Sequence, residues 1–494
     1  MKSTDSGDFG GTRVARQPTT RLLVSGHRFL LRRIECALLG RDIRLVNEPI
    51  RAPMQALFAG SLLAIFVLAG GAVLSVLRPQ PASADAPILM GKRSGTLYVR
   101  IGETLHPVLN LASARLIMKT NVDPLPIPES QLSSSKRGPM LGIPGAPQYL
   151  GTPLADDELQ WSVCDSSGGD SQGTTVIVGR SEGPLSHHLA SGQSVLVTST
   201  SGGSTYLLYD GHRAVVNLTE SAVVRALGID GRTPSVVSPV LLNAVPEAPP
   251  ITAPRIRNAG SRGPLPGFPV GSVLRMIRAD GDAYYVVLSH GIQRVGQVAA
   301  DLVRFNDSHG IRTAISVAPD LIRTTPTVTE LAVSTFPDRV PASVDASDTT
   351  LCVSWTHRRS GDRDVPEISF LTGGLSIPTG QEPVTLSQAD GKGPAIDAVY
   401  LPPGRSAYVR ATGLSGDNAR AGTRYLVTDT GVRFAIHDDD AAHDLGLPHT
   451  SIPAPWQVLA ELPAGLELSR ANASVAHDAL VGATNAVRST TNSP

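Results

Sequence analysis

The chain has 494 residues, too many for one ordinary domain, with 43 Lys+Arg against 43 Asp+Glu and hence no formal net charge. That balance argues against a protein that coats nucleic acid, which would carry a basic excess. Only 17% of residues are charged and 41% are hydrophobic, while 48 Gly and 39 Pro accompany 4% aromatics. This composition fits short strands and many turns better than a helical bundle or a disordered chain.

The N-terminal 51 residues are basic. Within them, Leu23, Leu30, Ile34 and Leu38 fall at helical spacing with Arg28, Arg32 and Arg33 interleaved, which predicts a basic amphipathic helix. Asn47-Glu48-Pro49 breaks it. Ala52 to Leu77 carries no formal charge, and its apolar part, Ala56 to Leu77, is 22 residues. As a helix this would be about 33 Å long, matching a hydrocarbon core of about 30 Å. The expectation is one transmembrane helix over 52–78. The excess of Arg before it places the N-terminus in the cytoplasm and 79–494 outside, in the cell inner membrane. Ala82-Ser83-Ala84 has the form of a signal-peptidase site, but a 51-residue leader and a 22-residue core favour an uncleaved anchor.

Beyond a linker at 79–96, one pattern recurs four times: a tyrosine-bearing strand, a glycine turn, a second strand and a small-residue helix. The copies begin at Leu97 (LYVRIGETLHPVLNLASARLI), Tyr206 (YLLYDGHRAVVNLTESAVVRALG), Tyr285 (YVVLSHGIQRVGQVAADLVRF) and Tyr425 (YLVTDTGVRFAIHDDDAAHDLGL). Gly102, Gly211, Gly291 and Gly431 are expected to turn the hairpins, and Leu227-Gly228 and Leu445-Gly446 to end helices. Proline-rich runs near 124–128, 246–254 and 448–463 read as extended connections rather than central strands.

Spacings of 108, 79 and 140 residues between Tyr98, Tyr206, Tyr285 and Tyr425 rule out a regular solenoid. The excess falls at 148–205 and 306–424, and each stretch holds one cysteine. The fold expected is α+β: modules at 97–147, 206–250, 251–305 and 425–470 around a mostly β central domain made of 148–205 and 306–424, with a tail at 471–494. In an oxidising compartment Cys164 and Cys352 have only each other as intramolecular partners, so a disulfide is expected. Two unrelated buried thiols are the alternative.

Candidate chemistry is thin. Gly169-Asp170-Ser171-Gln172-Gly173 matches the nucleophile-elbow pattern but lies in a polar loop leading into a strand. His437-Asp438-Asp439-Asp440 with His443 and Asp444 resembles a metal cluster, yet it sits where the pattern begins a helix, where acidic side chains favour the dipole. His187-His188 has no third ligand nearby. Asp390-Gly391-Lys392-Gly393-Pro394 is the nearest approach to a phosphate-binding loop, without its first glycine or terminal hydroxyl. No catalytic, cofactor-binding or metal-ligating set is expected.

The segment RQPTTRLLVSGHRFLLRRIECALLGRDIRL, the single anchor, the four copies and the two outer cysteines together resemble the EccB family of type VII (ESX) secretion. The resemblance covers nearly the whole chain, with 16–44 its most specific part. It implies a structural component of the secretion complex, assembling as a hexameric membrane complex with EccC (an FtsK-like ATPase), EccD and EccE, and with a mycosin protease. It also implies that Cys164 and Cys352 form the family's disulfide and that each module resembles a cell-wall-binding phage-lysin module. A membrane-anchored cell-wall-binding protein is one alternative. An ATP hydrolase, as the family is sometimes labelled, is another, although no nucleotide motif in the sequence supports it.

Overall fold

The computed structural model describes residues 21–39, 51–77, 86–167, 173–180, 186–279, 281–306, 313–346, 349–360, 363–391, 393–415 and 422–478. The chain divides into two units, Met1–Ala82 and Ser83–Pro494.

In the first unit, Arg21–Leu38 forms the expected amphipathic helix, with Leu23, Leu30, Ile34 and Leu38 all exposed. Arg51–Leu77 forms a second helix. Its side chains are described without a break over 56–71, and all are exposed. Among the described residues no helix is long and apolar enough to cross a membrane. This corrects the expectation of a single-pass anchor over 52–78, together with the inner-membrane placement and the cytoplasmic and outer assignments that rested on it.

The second unit is mixed α+β, mostly sheet with few helices. One seven-stranded sheet contains both cysteines. Trp161–Ser166 and Thr350–Ser360 pair antiparallel with Cys164 opposite Cys352, and Gly173–Val178 and Arg363–Gly373 flank them. We call it the stapled sheet.

The four other sheets share a series of pairings. In each, a first strand pairs antiparallel with a tyrosine-bearing strand, and that strand pairs with a third. A parallel edge strand then joins the first. The first strands are Ile88–Gly91, Gln193–Ser199, Val273–Met276 and Arg405–Thr412. The tyrosine strands are Leu97–Ile101, Thr205–Tyr209, Ala283–Leu288 and Arg424–Thr428. The edge strands are Leu125–Ile127, Ser235–Val237, Ile315–Ser316 and Ile452–Pro455. A helix follows each third strand: Leu111–Met118, Ser221–Leu227, Gln297–Asn306 and Asp439–Leu445. Leu125–Ile127, Glu247–Ile251 and Ile452–Pro455 carry prolines and lie at sheet edges, where the missing N–H costs no ladder bond.

Three of the four first strands lie outside the ranges read from sequence, whereas Val273–Met276 lies within 251–305. Gln193–Ser199 belongs to the Tyr206 sheet although it precedes residue 206, and Arg405–Thr412 to the Tyr425 sheet. Ile88–Gly91 falls in the supposed linker. The supposed tail also differs. Ala476–His477 pairs with Met140–Leu141 of the Tyr98 sheet, and the short helix Arg470–Ala473 buries Ala473 among residues of the Tyr98 and Tyr425 sheets.

Period-two alternation decides what packs where. On Gln193–Ser199, Val195 and Val197 face the core of the stapled sheet, while Leu196 faces a core shared with the Tyr285 sheet. On Arg405–Thr412, Ala407 and Val409 face the stapled sheet, and Tyr408 faces a core that takes in Leu116 of the Tyr98 copy's helix. The five sheets therefore connect in the order Tyr98, Tyr425, stapled, Tyr206, Tyr285.

The glycine turns are partly as expected. Asp210 and Gly211 take φ of 41° and 75° in a two-residue turn between Tyr209 and His212. Gly291 does not turn a hairpin. It opens the third strand, where an added Cβ would lie 2.3 Å from the Pro326 carbonyl oxygen. At Gly211 a Cβ would meet the Ile368 carbonyl oxygen at 2.7 Å, whereas at Gly102, with φ 60°, nothing lies within 4 Å. Gly102→Ala is expected to cost about 1–2 kcal/mol, the left-handed penalty alone. Gly211→Ala should cost measurably more in urea unfolding, because it also pushes the hairpin off the stapled sheet. Equal losses would mean that the contact carries no energy.

Candidate functional site

The best-defined constellation surrounds the staple. Cys164 and Cys352, 188 residues apart in sequence, form the disulfide and are both buried. Their neighbours separate by face. Trp161, Val163, Leu351, Val353 and Trp355 pack on one side, and the cystine with Ile177, Leu371 and Tyr400 on the other.

Beside the cystine, Asp165 is nearly buried. Its Oδ1 accepts from Thr174 Oγ1 (2.8 Å) and Ser238 Oγ (2.9 Å), and its Oδ2 from the Ser238 N–H (2.6 Å). Ser238 also caps the helix Pro239–Asn243, its Oγ accepting from the Leu241 N–H. One carboxylate thus ties the stapled sheet to the residue that follows the edge strand Ser235–Val237 of the Tyr206 sheet. Asp397 continues the network, accepting from the N–H groups of Thr174 (2.7 Å), Asp390 (2.8 Å) and Gly391 (2.6 Å). A cleft of about 310 Å³ opens alongside, lined by Asp165, Ser235, Ser238 and Thr349 among others.

Burial pushes the Asp165 carboxyl above its ordinary 3.8, against the lowering effect of its hydrogen bonds. A folded-state value above the unfolded one means that the folded protein binds the proton more tightly. This contribution to stability is complete below about pH 4 and declines as pH rises through the folded-state value. Compared with Asp165→Asn, which does not titrate, the wild type should lose relative stability upward from about pH 4. Urea midpoints measured across pH 3–7 that stay parallel would contradict this.

A second cleft, of about 670 Å³, lies on a polar stretch of the same sheet. There His357 Nε2 meets Asp156 Oδ1 at 2.8 Å, and His188 lines the wall. The nearby Ser354 hydroxyl is bonded by Gln160 and Ser162 rather than by a histidine.

The sequence candidates fall as follows. Cys164 and Cys352 are brought together. Gly169–Gln172 of the elbow-like pattern lies outside the described residues, as does Lys392. The N–H groups of Asp390 and Gly391, which a phosphate cradle would use, are engaged by the Asp397 carboxylate. Asp438 caps the helix Asp439–Leu445 by accepting from the Ala441 N–H (2.7 Å). Asp439 pairs with Arg424, and the buried Asp444 with Arg470 at 2.7 Å. These acids are thus committed to a helix start and its ion pairs. His187 lies on the edge strand Ser186–His188. Sequence reasoning missed Asp165, Ser238 and Asp397. Only the position of Asp165 beside Cys164 could have hinted at them.

Five sheets linked through shared cores, with one staple at the middle, form the frame of the Ser83–Pro494 unit. The family profile described as "Type VII secretion system ESX-1, transport TM domain B" matches residues 16–482. The ESX-3 secretion system ATPase EccB3 of Mycolicibacterium smegmatis is 38% identical over 496 residues, covering 97% of this chain and 94% of that relative. The ESX-5 secretion system ATPase EccB5 of Mycobacterium tuberculosis is 34% identical, covering 94% of each. Among solved structures, a chain of the intact ESX-5 inner membrane complex superimposes with a TM-score of 0.70 at 30% identity, covering 95% of this chain and 98% of that one. A chain of the EccB3 dimer from the ESX-3 core complex gives 0.69 at 35% identity, covering 79% and 100%. This chain belongs to the EccB family of type VII secretion.

Proposed function

We propose that the chain is a structural component of a type VII secretion complex, with Ser83–Pro494 as its modular building block. The observation that carries this is the likeness, over 95% of the chain, to a component of the ESX-5 inner membrane complex. The reading takes the four tyrosine-bearing sheets as built on copies of one module, two on each side of the stapled sheet. The shared series of pairings and the common position of the helix after the third strand support it. Assembly with further copies is supported by the EccB3 dimer. EccC, EccD, EccE and a mycosin protease are the expected partners, and a hexameric count is carried over from the resemblance. The test is to delete residues 16–44 in the native host and follow secretion of the system's substrates. Secretion should stop while the stapled region keeps its protease resistance. Undiminished secretion would refute the proposal.

ATP hydrolysis is a second reading, favoured by the word ATPase in the relatives' names. It predicts turnover by the purified full chain that is lost in Lys392→Ala. Absence of turnover in contaminant-free protein would end it.

A further inference from the structure

The outer edge of the third strand is treated differently in one sheet of the four. In the Tyr206 sheet, His212–Val216 is covered by the parallel strand Glu247–Ile251. In the Tyr98 sheet, Thr104–Val108 is covered by 136–137 and 141. In the Tyr425 sheet, Arg433, Ala435 and His437 all bond outward to main-chain groups between Pro463 and Leu468. In the Tyr285 sheet, only Ile292 of Gly291–Val295 is covered: its N–H donates to Pro326 O (2.8 Å) and its C=O accepts from the Val328 N–H (2.9 Å). Main-chain groups on a strand alternate sides, so the N–H and C=O of Arg294 point the same way as those of Ile292. Neither has a partner among the described residues.

The segment that would have covered Arg294 bows away. It is pinned against Gly291 by Pro326 and returns at Gly296, where an added Cβ would lie 2.8 Å from Asp338 Cα and the Gln297 N–H donates to Asp338 O (2.6 Å). The buried Gln293 side chain props the bow open. Its Nε2 donates to Leu331 O (2.9 Å), and its Oε1 accepts from the N–H groups of Glu330 (2.8 Å) and Leu331 (2.7 Å). Between strand and bow lies a cleft of about 1050 Å³. That reaches the upper end of the roughly 300–1,000 Å³ typical of ligand sites. Of the charges lining it, Asp282 is paired with Arg275 (2.6 Å) and Glu330 faces His290 (3.4 Å). The exposed Arg294 and Arg339 have no ion partner among the described residues; the carboxylates beside them are Asp338 and Glu330, the latter neutralised only when His290 is protonated.

We propose that this cleft receives an extended acidic peptide segment of a partner protein, which adds a strand at Arg294. The peptide's main chain would satisfy the open N–H and C=O, as strand addition does elsewhere, and its carboxylates would meet Arg294 and Arg339. The propped cleft and the free edge are both formed without the peptide, so binding needs little reordering of this chain.

The test uses the full chain and a fluorescein-labelled, end-capped peptide of alternating Val and Glu, six residues long. Saturable anisotropy is expected, with slowed amide exchange across 291–296. At least tenfold weaker binding is expected both for a Val–Lys analogue and for a Val–Glu analogue N-methylated on alternate amides. Arg294→Glu with Arg339→Glu should reverse the preference between Glu and Lys peptides, and the two Ala replacements should abolish it. Both positions are exposed, and an unchanged melting temperature would confirm folding. No binding at millimolar peptide would overturn the proposal. So would undiminished binding of the N-methylated peptide or of dextran sulfate, which would reveal bare charge attraction, or indifference to both double variants.

Discussion

Cys164→Ser is expected to lower the unfolding free energy of the Ser83–Pro494 unit by up to about 5 kcal/mol, the loop-entropy value for so long a closed span. The loss should be uneven. The disulfide joins directly opposed residues on neighbouring strands, Trp161–Ser166 and Thr350–Ser360, that come from distant parts of the chain. Without it, bringing those strands together must be achieved by packing alone. The stapled sheet shares its core with the Tyr206 and Tyr425 sheets, whereas the Tyr98 and Tyr285 sheets join only through those neighbours. Hydrogen exchange in Cys164→Ser should therefore rise most in 161–178 and 350–373, less in 193–216 and 405–428, and least in 97–108 and 283–295. Equal loosening everywhere, or none, would contradict this order.

Trp161→Ala is expected to cost about 3–5 kcal/mol, the range for removing a large buried aromatic side chain. Trp161 is 1% exposed, lies opposite Trp355 across the strand pair and sits in the core that joins three sheets. Its loss would leave a cavity where those sheets meet. Trp161→Phe provides the control. The indole Nε1 is buried without a partner among the described residues, so no hydrogen bond is lost with it. Phe should therefore cost markedly less than Ala. Chemical denaturation that ranks the two variants equally would show that the ring does not pack as described.

What the sequence disclosed depended on how local the signal was. The tyrosine strands were legible because their alternation lies within five or six residues, and helix ends because Gly228 and Gly446 take the left-handed φ of 65° and 78° that a C-cap uses. The staple was legible because few cysteines compete. The first strands of three of the four sheets were not assigned correctly. Gln193–Ser199 has a good strand pattern, but nothing in it states whether it pairs with the adjacent Tyr206 strand or with distant residues. Gly291 was misread for a related reason: its role is close approach to Pro326, a contact 35 residues away that leaves no local mark. The Asp165 network was hidden because its partners, Thr174, Ser238 and the neighbouring Asp397, are ordinary polar residues until the fold assembles them. The anchor was read from an uncharged run, and among the described residues no helix is long and apolar enough to cross a membrane.

The account rests on this chain being a scaffold part rather than a free-standing protein. Covalent cross-linking of the tagged full chain in its native host, followed by sizing and mass spectrometry, tests that directly. The prediction is a product far above the 51.7 kDa of one chain, containing further copies and other components of the secretion system. Recovery as a single chain, cross-linked to none of them while secretion proceeds, would contradict it.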